Sequence, residues 1–257
     1  MDRQQWVART YLPSVRSSFG THQIQFGIDL QRTVFHQQAD RHSYRILRQD
    51  ESIARVVTFL GGGVAERRNF EFTEYVNDRW SPRDDLLIDA GLRLDWDQVV
   101  RDVLVSPRLA ASYAPAWLKG TKLSAGAGIF YDALSLPLIT RHQDQVALST
   151  FYAPNGVLAR GPVETAFEVN EGLLRVPRYR TLSFAVERSL AFGLLGKASY
   201  VRRGGNRGLS FFGSPVQAAG AGFLPASDTY LLRNWRRDRY EAVELTVRRS
   251  FAGTRSS

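Results

Sequence analysis

From Leu86 to Trp96 every even position is apolar: Leu86, Ile88, Ala90, Leu92, Leu94 and Trp96 alternate with Leu87, Asp89, Gly91, Arg93 and Asp95. Successive side chains of a β-strand point to opposite faces, so this segment is greasy on one side and mostly small or charged on the other. The same period of two recurs along the chain. In HQIQFGIDLQ, Ile24, Phe26, Ile28 and Leu30 oppose Gln23, Gln25, Gly27, Asp29 and Gln31. In TKLSAGAGIFY, Leu123, Ala125, Ala127, Ile129 and Tyr131 form one row, and in RTLSFAVER, Leu182, Phe184 and Val186 form another. The pattern predicts an all-β chain.

Strands are expected at about 8–17, 22–35, 66–80, 85–97, 107–115, 121–131, 179–189, 195–204 and 237–250. The joins between them alternate in length. Tight turns fall at Ser18–Thr21, Ser81–Asp84, Ala116–Gly120 and Ser189–Leu194. Long joins fall at 36–65, 132–178 and 205–236, with a shorter one at 98–106. SYRILRQDESIARVVTF and VALSTFYAPNGVLA read as hairpins inside the long joins, the second turning at Pro154-Asn155-Gly156. LGGGV, Leu60–Val64, reads as a loop hinge, and RRGGNRG, Arg202–Gly208, as a turn at a strand end.

An antiparallel up-and-down meander with tight turns at one end and long loops at the other is the arrangement of an outer-membrane β-barrel. On this reading the apolar face meets lipid, while Asp89, Arg93 and Asp95 face a polar lumen. Aromatic residues near strand ends would form the interfacial girdles: Trp80 and Tyr113 by the tight turns, Trp96, Tyr131 and Tyr240 by the long loops. One strand resists. In NFEFTEYVNDRW the row of Phe70, Phe72, Val76 and Trp80 also holds Glu74 and Asp78, so either a bulge shifts the register or that face is not wholly exposed to lipid. A soluble all-β binding module for carbohydrate or nucleic acid also explains the alternation. It does not explain why the connections are sorted by length.

Composition narrows the chemistry. The 257 residues contain no cysteine, which excludes disulfides, thiol catalysis and cysteine-type zinc sites. The formal charge is +9, nearly all the basic residues are arginine, and they are spread along the chain rather than gathered in a block, so nucleic acid is not an expected partner. No apolar run approaches the length of a transmembrane helix, and the N-terminus lacks the apolar core and cleavage site of a signal peptide. The histidines, His22, His36, His42 and His142, form no close metal-ligand pair. No nucleophile elbow or phosphate loop occurs; AGAGIF lacks a third glycine and lies within a strand, where close backbone packing explains it. Neither catalysis nor a cofactor is expected.

FEFTEYVNDRWSPRDDLLIDAGLRLDWD, with SPRLAASYAP and TKLSAGAGIFYD after it, resembles the middle of the barrel of TonB-dependent outer-membrane receptors, in particular the Oar-like branch, whose members carry a carboxypeptidase-regulatory-like domain before the plug. The resemblance rests on Tyr75, Asn77, Asp78 and Trp80, then Gly91, Leu92, Arg93, Leu94 and Asp95. Gly20, His22, Phe26 and Gly27 match a preceding strand of that pattern, and the likeness runs over about residues 18–251. It implies a barrel of about 22 strands around a plug, driven by the TonB complex, set in outer-membrane lipid and carrying an unidentified ligand. The chain has about nine strands and nothing resembling a plug or signal peptide, so it is expected to be a fragment of a longer product. The long loops would then be the ligand surface, with Arg141, Phe151, Tyr152, Arg160, Arg175, Arg233, Trp235 and Arg236 suited to an anionic or aromatic ligand.

Overall fold

Every alternating segment forms a strand, and each pairs with the next of its kind along the chain. The structure is a computed structural model that describes residues 1–213 and 227–249. Its strands are β1 (Asp2–Tyr11), β2 (Val15–Ser17), β3 (Gly20–Gln38), β4 (Tyr44–Leu47), β5 (Ile53–Leu60), β6 (Val64–Arg83), β7 (Leu86–Asp97), β8 (Val103–Tyr113) and β9 (Thr121–Tyr131). A short helix α1 (Leu136–Ile139) follows, then β10 (Val146–Tyr152), β11 (Leu158–Glu168), β12 (Arg178–Ser189), β13 (Leu194–Gly213) and β14 (Ser227–Arg249).

All 14 strands belong to one sheet. Its main course, β1-β3-β6-β7-β8-β9-β12-β13-β14, is the expected meander, each strand antiparallel to its neighbour. The remaining strands come from the long joins. β4–β5 and β10–β11 are the two hairpins expected there, and β10–β11 turns at Ala153–Val157, where the Ala153 N–H donates to the Val157 carbonyl at 2.8 Å. These hairpins join each other through β5–β10, and β11 then runs parallel to the first residues of β14. The sheet is not closed, and β1 and β14 run in the same direction because an odd number of strands makes up the meander.

Register decides the faces. Cross-strand partners lie on the same side of a sheet, and many partner rows are apolar, although the row of Leu109, Ala127 and Leu182 ends in the ion pair Arg202–Glu241. Trp6 pairs with Leu30, Leu30 with Phe72, Phe72 with Trp96 and Trp96 with Val103. Further along, Leu109 pairs with Ala127, Ala127 with Leu182, and Phe184 with both Ala125 and Tyr200. This face is largely uncovered: Phe184, Val243 and Leu245 are 49%, 72% and 76% exposed, far beyond what a water-facing sheet of this size carries. The opposite face holds Asp29, Glu71, Asp89, Arg93, Asp95 and Arg108 among its small and polar residues.

β6 has no bulge between Glu71 and Trp80; its pairing with both neighbours is continuous there. Glu74 and Asp78 therefore do stand on the apolar face. Asp78 accepts from His22 Nδ1 at 2.7 Å, and the His22 ring stacks on Trp80 with centroids 5.6 Å apart. Glu74 lies between Ile28 and Leu94.

Three expectations need correction. The first strand begins at Asp2 and breaks after Tyr11, where Pro13 interrupts, so the expected strand at 8–17 is two pieces, β1 and β2. RRGGNRG is not a turn but the interior of β13, bulged between Gly205 and Gly208, with Arg207 at φ +61°. Tyr240 pairs with Arg203 on the polar face, so it does not belong to an apolar-face girdle; Trp80, Trp96 and Tyr113 do lie on the apolar face. The expected join at 205–236 lies partly outside the described residues, and its described parts extend β13 and β14.

The buried apolar core is not in the wall but at the loop end. Val99, Leu104, Leu134, Leu136, Ile139, Leu174, Val176, Leu209 and Leu232 pack together there, with Ile139 fully buried. α1, which the period of two did not announce, contributes two of them from a single turn that carries Pro137 near its start.

On the polar face one glycine fixes an aromatic. Gly27 faces Tyr75 across the β3–β6 ladder, and a Cβ at Gly27 would stand 2.1 Å from the Tyr75 ring. Tyr179 covers Gly205 in the same way, at 2.5 Å, with Arg203 stacked on its ring at 3.9 Å. Gly27→Ala is expected to expel the Tyr75 ring and cost about 1 kcal/mol in a urea titration of the folded protein. The paired change Gly27→Ala with Tyr75→Ser should recover most of it.

Candidate functional site

Below the loop core, the polar face carries a chain of hydrogen bonds that crosses β1, β3, β6 and β7. Gln5 donates to Asp29 at 2.7 Å, and Arg3 reaches Gln31, which donates to Glu71 at 2.7 Å. Thr73 donates to Asp95 at 2.6 Å, and Arg93 Nε donates to both oxygens of Asp95 at 2.8 and 3.0 Å. Asn69 donates to Asp97 at 2.8 Å. Every one of these residues is at an alternate position of its strand, so the ladder registers bring them side by side.

Asp97 is almost fully buried. Its Oδ1 accepts the backbone N–H groups of Val99 and Val100 at 2.8 and 3.1 Å, which ties the short β7–β8 join to the wall. A cavity of about 390 Å³ lies against this network, between Arg3, Glu71, Arg93, Asp95 and Arg108, and Leu104, Tyr131 and Val176 of the loop core line it as well. Paired charges and bonded amides make it polar without leaving it rigidly filled. Among the described residues no group of three or more His, Asp or Glu is placed to hold a metal ion.

Asp89, Arg93 and Asp95 share the polar face. Arg93 and Asp95 belong to the cavity, whereas Asp89 lies farther toward the tight turns, 3.8 Å from Arg79 Nε. Arg3, Asp29, Glu71, Asp97 and Arg108 were not singled out from sequence. Their signal was available: each stands at an alternate position opposite an apolar row.

The loop residues do not converge on one pocket. Phe151 is held between Arg55 and Arg160, whose guanidinium carbons lie 5.0 and 5.6 Å from its ring centroid. Tyr152 ends β10, and its carbonyl accepts from Arg48. Arg141 lies 4.7 Å over the ring of Phe167 and also binds Asp144. Arg233 and Trp235 form a separate pair on β14, 5.6 Å apart, with Trp235 against Phe212. Leu232 beside them is buried in the loop core whereas Arg233 and Trp235 are exposed, which places that pair on the other side of the strand. Arg175 contacts Asp102 at 3.4 Å and Arg236 contacts Asp238 at 3.0 Å.

Asp144 organises the loop end. Its side chain is 3% exposed and binds two guanidinium groups, those of Arg41 and Arg141. Arg41 Nη2 donates to Asp144 Oδ2 at 2.7 Å, and the Arg41 N–H donates to Gln145 Oε1 at 2.7 Å. Gln145 in turn donates to the Gly61 carbonyl at 3.1 Å, so the β3–β4, β5–β6 and α1–β10 joins are laced together. The hydrogen bond from Arg41 holds the Asp144 carboxyl below the usual carboxylate range, aided by the Gln145 N–H and the charge of Arg141 and opposed by burial.

No family model matches the sequence, and no curated protein matches it significantly. Solved structures do match the fold. The outer membrane transporter YddB from Escherichia coli superposes with a TM-score of 0.67 at 14% identity, over 95% of this chain and 30% of that one. An enterobactin-bound variant of the ferric enterobactin receptor PfeA from Pseudomonas aeruginosa gives 0.55 at 14% identity, over 95% and 41%. The siderophore receptor PirA from Pseudomonas aeruginosa gives 0.52 at 14% identity, over 95% and 46%. The fold is that of an outer-membrane β-barrel wall. The chain spans less than half the length of each of these proteins.

Proposed function

We propose that this chain is a segment of the barrel wall of a TonB-dependent outer-membrane transporter, with its apolar face against lipid and Asp89, Arg93 and Asp95 toward the lumen. The observation that carries the reading is the register: nine successive strands align one largely uncovered and mainly apolar face, broken by Glu74, Asp78 and the Arg202–Glu241 pair, while Asp89, Arg93 and Asp95 lie on the other. A soluble module would have to cover that face, and none of the described residues does so. The two unpaired edges require further strands, since open edges are not tolerated in hydrocarbon. β1 and β14 run the same way, so closure by antiparallel pairing takes an odd number of added strands. On this reading the plug, the TonB contact and those strands belong to polypeptide outside these 257 residues.

The loop end would capture the ligand. Of the residues suspected from sequence, Arg160 and Phe151 with Arg55 make the most suitable surface, two cations clasping one ring, which favours an anionic or aromatic ligand of the siderophore kind. Arg141, Tyr152, Arg233 and Trp235 would act around it rather than in one pocket. Deleting residues 140–176 from the full-length receptor should abolish ligand binding, and unchanged binding would discard the loop assignment.

The absence of cysteine gives a direct test of the faces. Single cysteines at Leu182, Phe184 and Val186 are expected to react with a lipid-soluble maleimide and to resist a charged one. Cysteines at Ser183 and Ala185 should show the reverse. Uniform reaction with the charged reagent would reject the membrane reading.

A further inference from the structure

On β12 the row that shares the apolar face reads Arg180, Leu182, Phe184, Val186 and Arg188, so an arginine stands at each end of three apolar side chains. The strand from Arg180 to Arg188 covers about 26 Å, or about 20 Å of height at the usual barrel tilt, close to the apolar band of an outer-membrane barrel. Arg180 marks the loop-side edge of that band. It faces Gly204 of β13, and Gly204 faces Arg239 of β14. A Cβ at Gly204 would meet nothing within 4 Å, so an open notch separates the two arginines. Arg202, two residues before Gly204 on the same face, and Arg239 share one oxygen of Glu241, at 3.2 and 2.8 Å. Arg237 alternates onto this face beside Arg239. Among the described residues neither Arg180 nor Arg237 has an ion pair or a hydrogen bond. Four guanidinium groups therefore surround one carboxylate.

We propose that this notch seats the phosphate of a lipid headgroup in the outer leaflet, gripped by Arg180 and Arg239 from either side of Gly204, with Arg202 and Arg237 balancing its remaining charge. The proposal rests on the wall reading above, which puts lipid against this face and the loops on the cell exterior. Guanidinium suits the role, because its planar paired donors match phosphate oxygens and it stays charged. Neighbouring strands lie about 4.8 Å apart, so the Arg180 and Arg239 backbones are about 10 Å apart, a gap that two extended arginine side chains close onto one phosphate. Leu182, Tyr200 and Val243 continue the face away from the loops, where the acyl chains of the same lipid would lie. That continuity selects a lipid over a free anion, since the Arg202 and Arg239 side chains are 56% and 68% exposed and hold a bare ion weakly in water. Asp78 and Arg68, also on this face, have their partners within the wall, in His22 and Glu66. A strand added to the free edge of β14 would lie beside Arg239 and not over it, so the notch stays open to lipid in a closed barrel.

The test uses the full-length receptor, extracted from membranes in detergent, with dioleoyl phosphatidic acid as the probe and bound lipid counted by native mass spectrometry. R180Q/R239Q is expected to weaken binding about tenfold. R180Q alone breaks no contact within the wall and should weaken it about threefold, so it carries the test if the double variant does not fold. G204L keeps every charge but fills the notch, and should weaken binding about as much as the double variant. R68Q, whose arginine is paired with Glu66, should leave it unchanged. Dioleoyl phosphatidylcholine, which neutralises its own phosphate, should bind weakly and respond to none of these changes, and excess inorganic phosphate should not displace phosphatidic acid. Undiminished binding by R180Q/R239Q or by G204L, equal losses with phosphatidylcholine, or displacement by inorganic phosphate overturns the proposal. L182C in the same preparation separates the two readings. Its protection from a charged maleimide beside undiminished lipid binding by R180Q/R239Q refutes the headgroup site alone, whereas its free reaction refutes the wall reading and the site with it.

Discussion

Phe184→Arg is expected to lower the folding free energy of the receptor in bilayers by about 3 kcal/mol, whereas Ala185→Arg, one residue on, should change it little. The two substitutions add the same side chain to the same strand. They differ in face: Phe184 pairs with Ala125 and Tyr200 in the apolar row, and Ala185 pairs with Ser124 and Ser199 in the polar one. Arginine on the apolar face must be dehydrated or must drag its charge toward the headgroups, a cost that grows with depth. Arginine on the polar face stays hydrated beside two hydroxyls. Urea titration of the protein folded into lipid vesicles reads the difference directly. The same pair in detergent-free buffer separates the readings further. A soluble module exposing Phe184 to water would be stabilised or unaffected by the charge, since 49% of that ring is already uncovered. Equal effects at the two positions would contradict the assignment of the faces.

This contrast rests on the feature most legible in the sequence. Period-two alternation depends only on backbone geometry and on which face is apolar, so it was legible in most strands of the meander; it failed in β1, where Asp2, Gln4 and Thr10 share a row with Trp6 and Ala8, and it left the register of β6 open because Glu74 and Asp78 stand in the apolar row. The hairpins within two long joins were legible for a similar reason, because Asn155-Gly156 after Pro154 leaves the chain few other courses. What escaped was tertiary. β13 runs through RRGGNRG because β12 and β14 pair on both sides and a bulge absorbs the glycines; locally the segment looks like a turn. α1 and the loop core escaped because Leu134, Leu136, Ile139, Leu174 and Val176 follow neither period and meet only when the 132–178 join folds back on itself. The polar cavity lay between. Arg93 and Asp95 were visible on one strand, but Arg3, Asp29 and Glu71 reach them through ladders whose registers no single segment reveals.

The loop end offers the sharper test of energetics, because one carboxylate holds it. Asp144→Asn is expected to lower the local stability of the joins at 39–43 and 140–145 by about 2 kcal/mol, a loss of roughly thirtyfold in their amide-exchange protection. Removing one partner from a buried ion pair usually costs more. Here Arg41 and Arg141 keep 32% and 39% of their side chains in solvent and can rehydrate, so the cost is discounted accordingly. The pH dependence has a definite sign. The Asp144 carboxyl is depressed by the hydrogen bond from Arg41, below the value of about 3.9 that an aspartate has in the unfolded chain. Its contribution is therefore complete above that value and is lost as the pH falls through the lower, folded one. Protection of both joins should hold level from neutral pH down to about pH 4 and then decline. In Asp144→Asn the decline should vanish while the baseline starts lower. A wild type that instead loses protection between pH 5 and 7 would show that Asp144 is not the group responsible. A ligand gripped by Arg55 and Arg160 on the adjoining strands would feel this change, because the Gln145 bridge to Gly61 couples the clamp to the end of β5. Binding should therefore weaken in acid together with loop protection, and in Asp144→Asn both should become independent of pH.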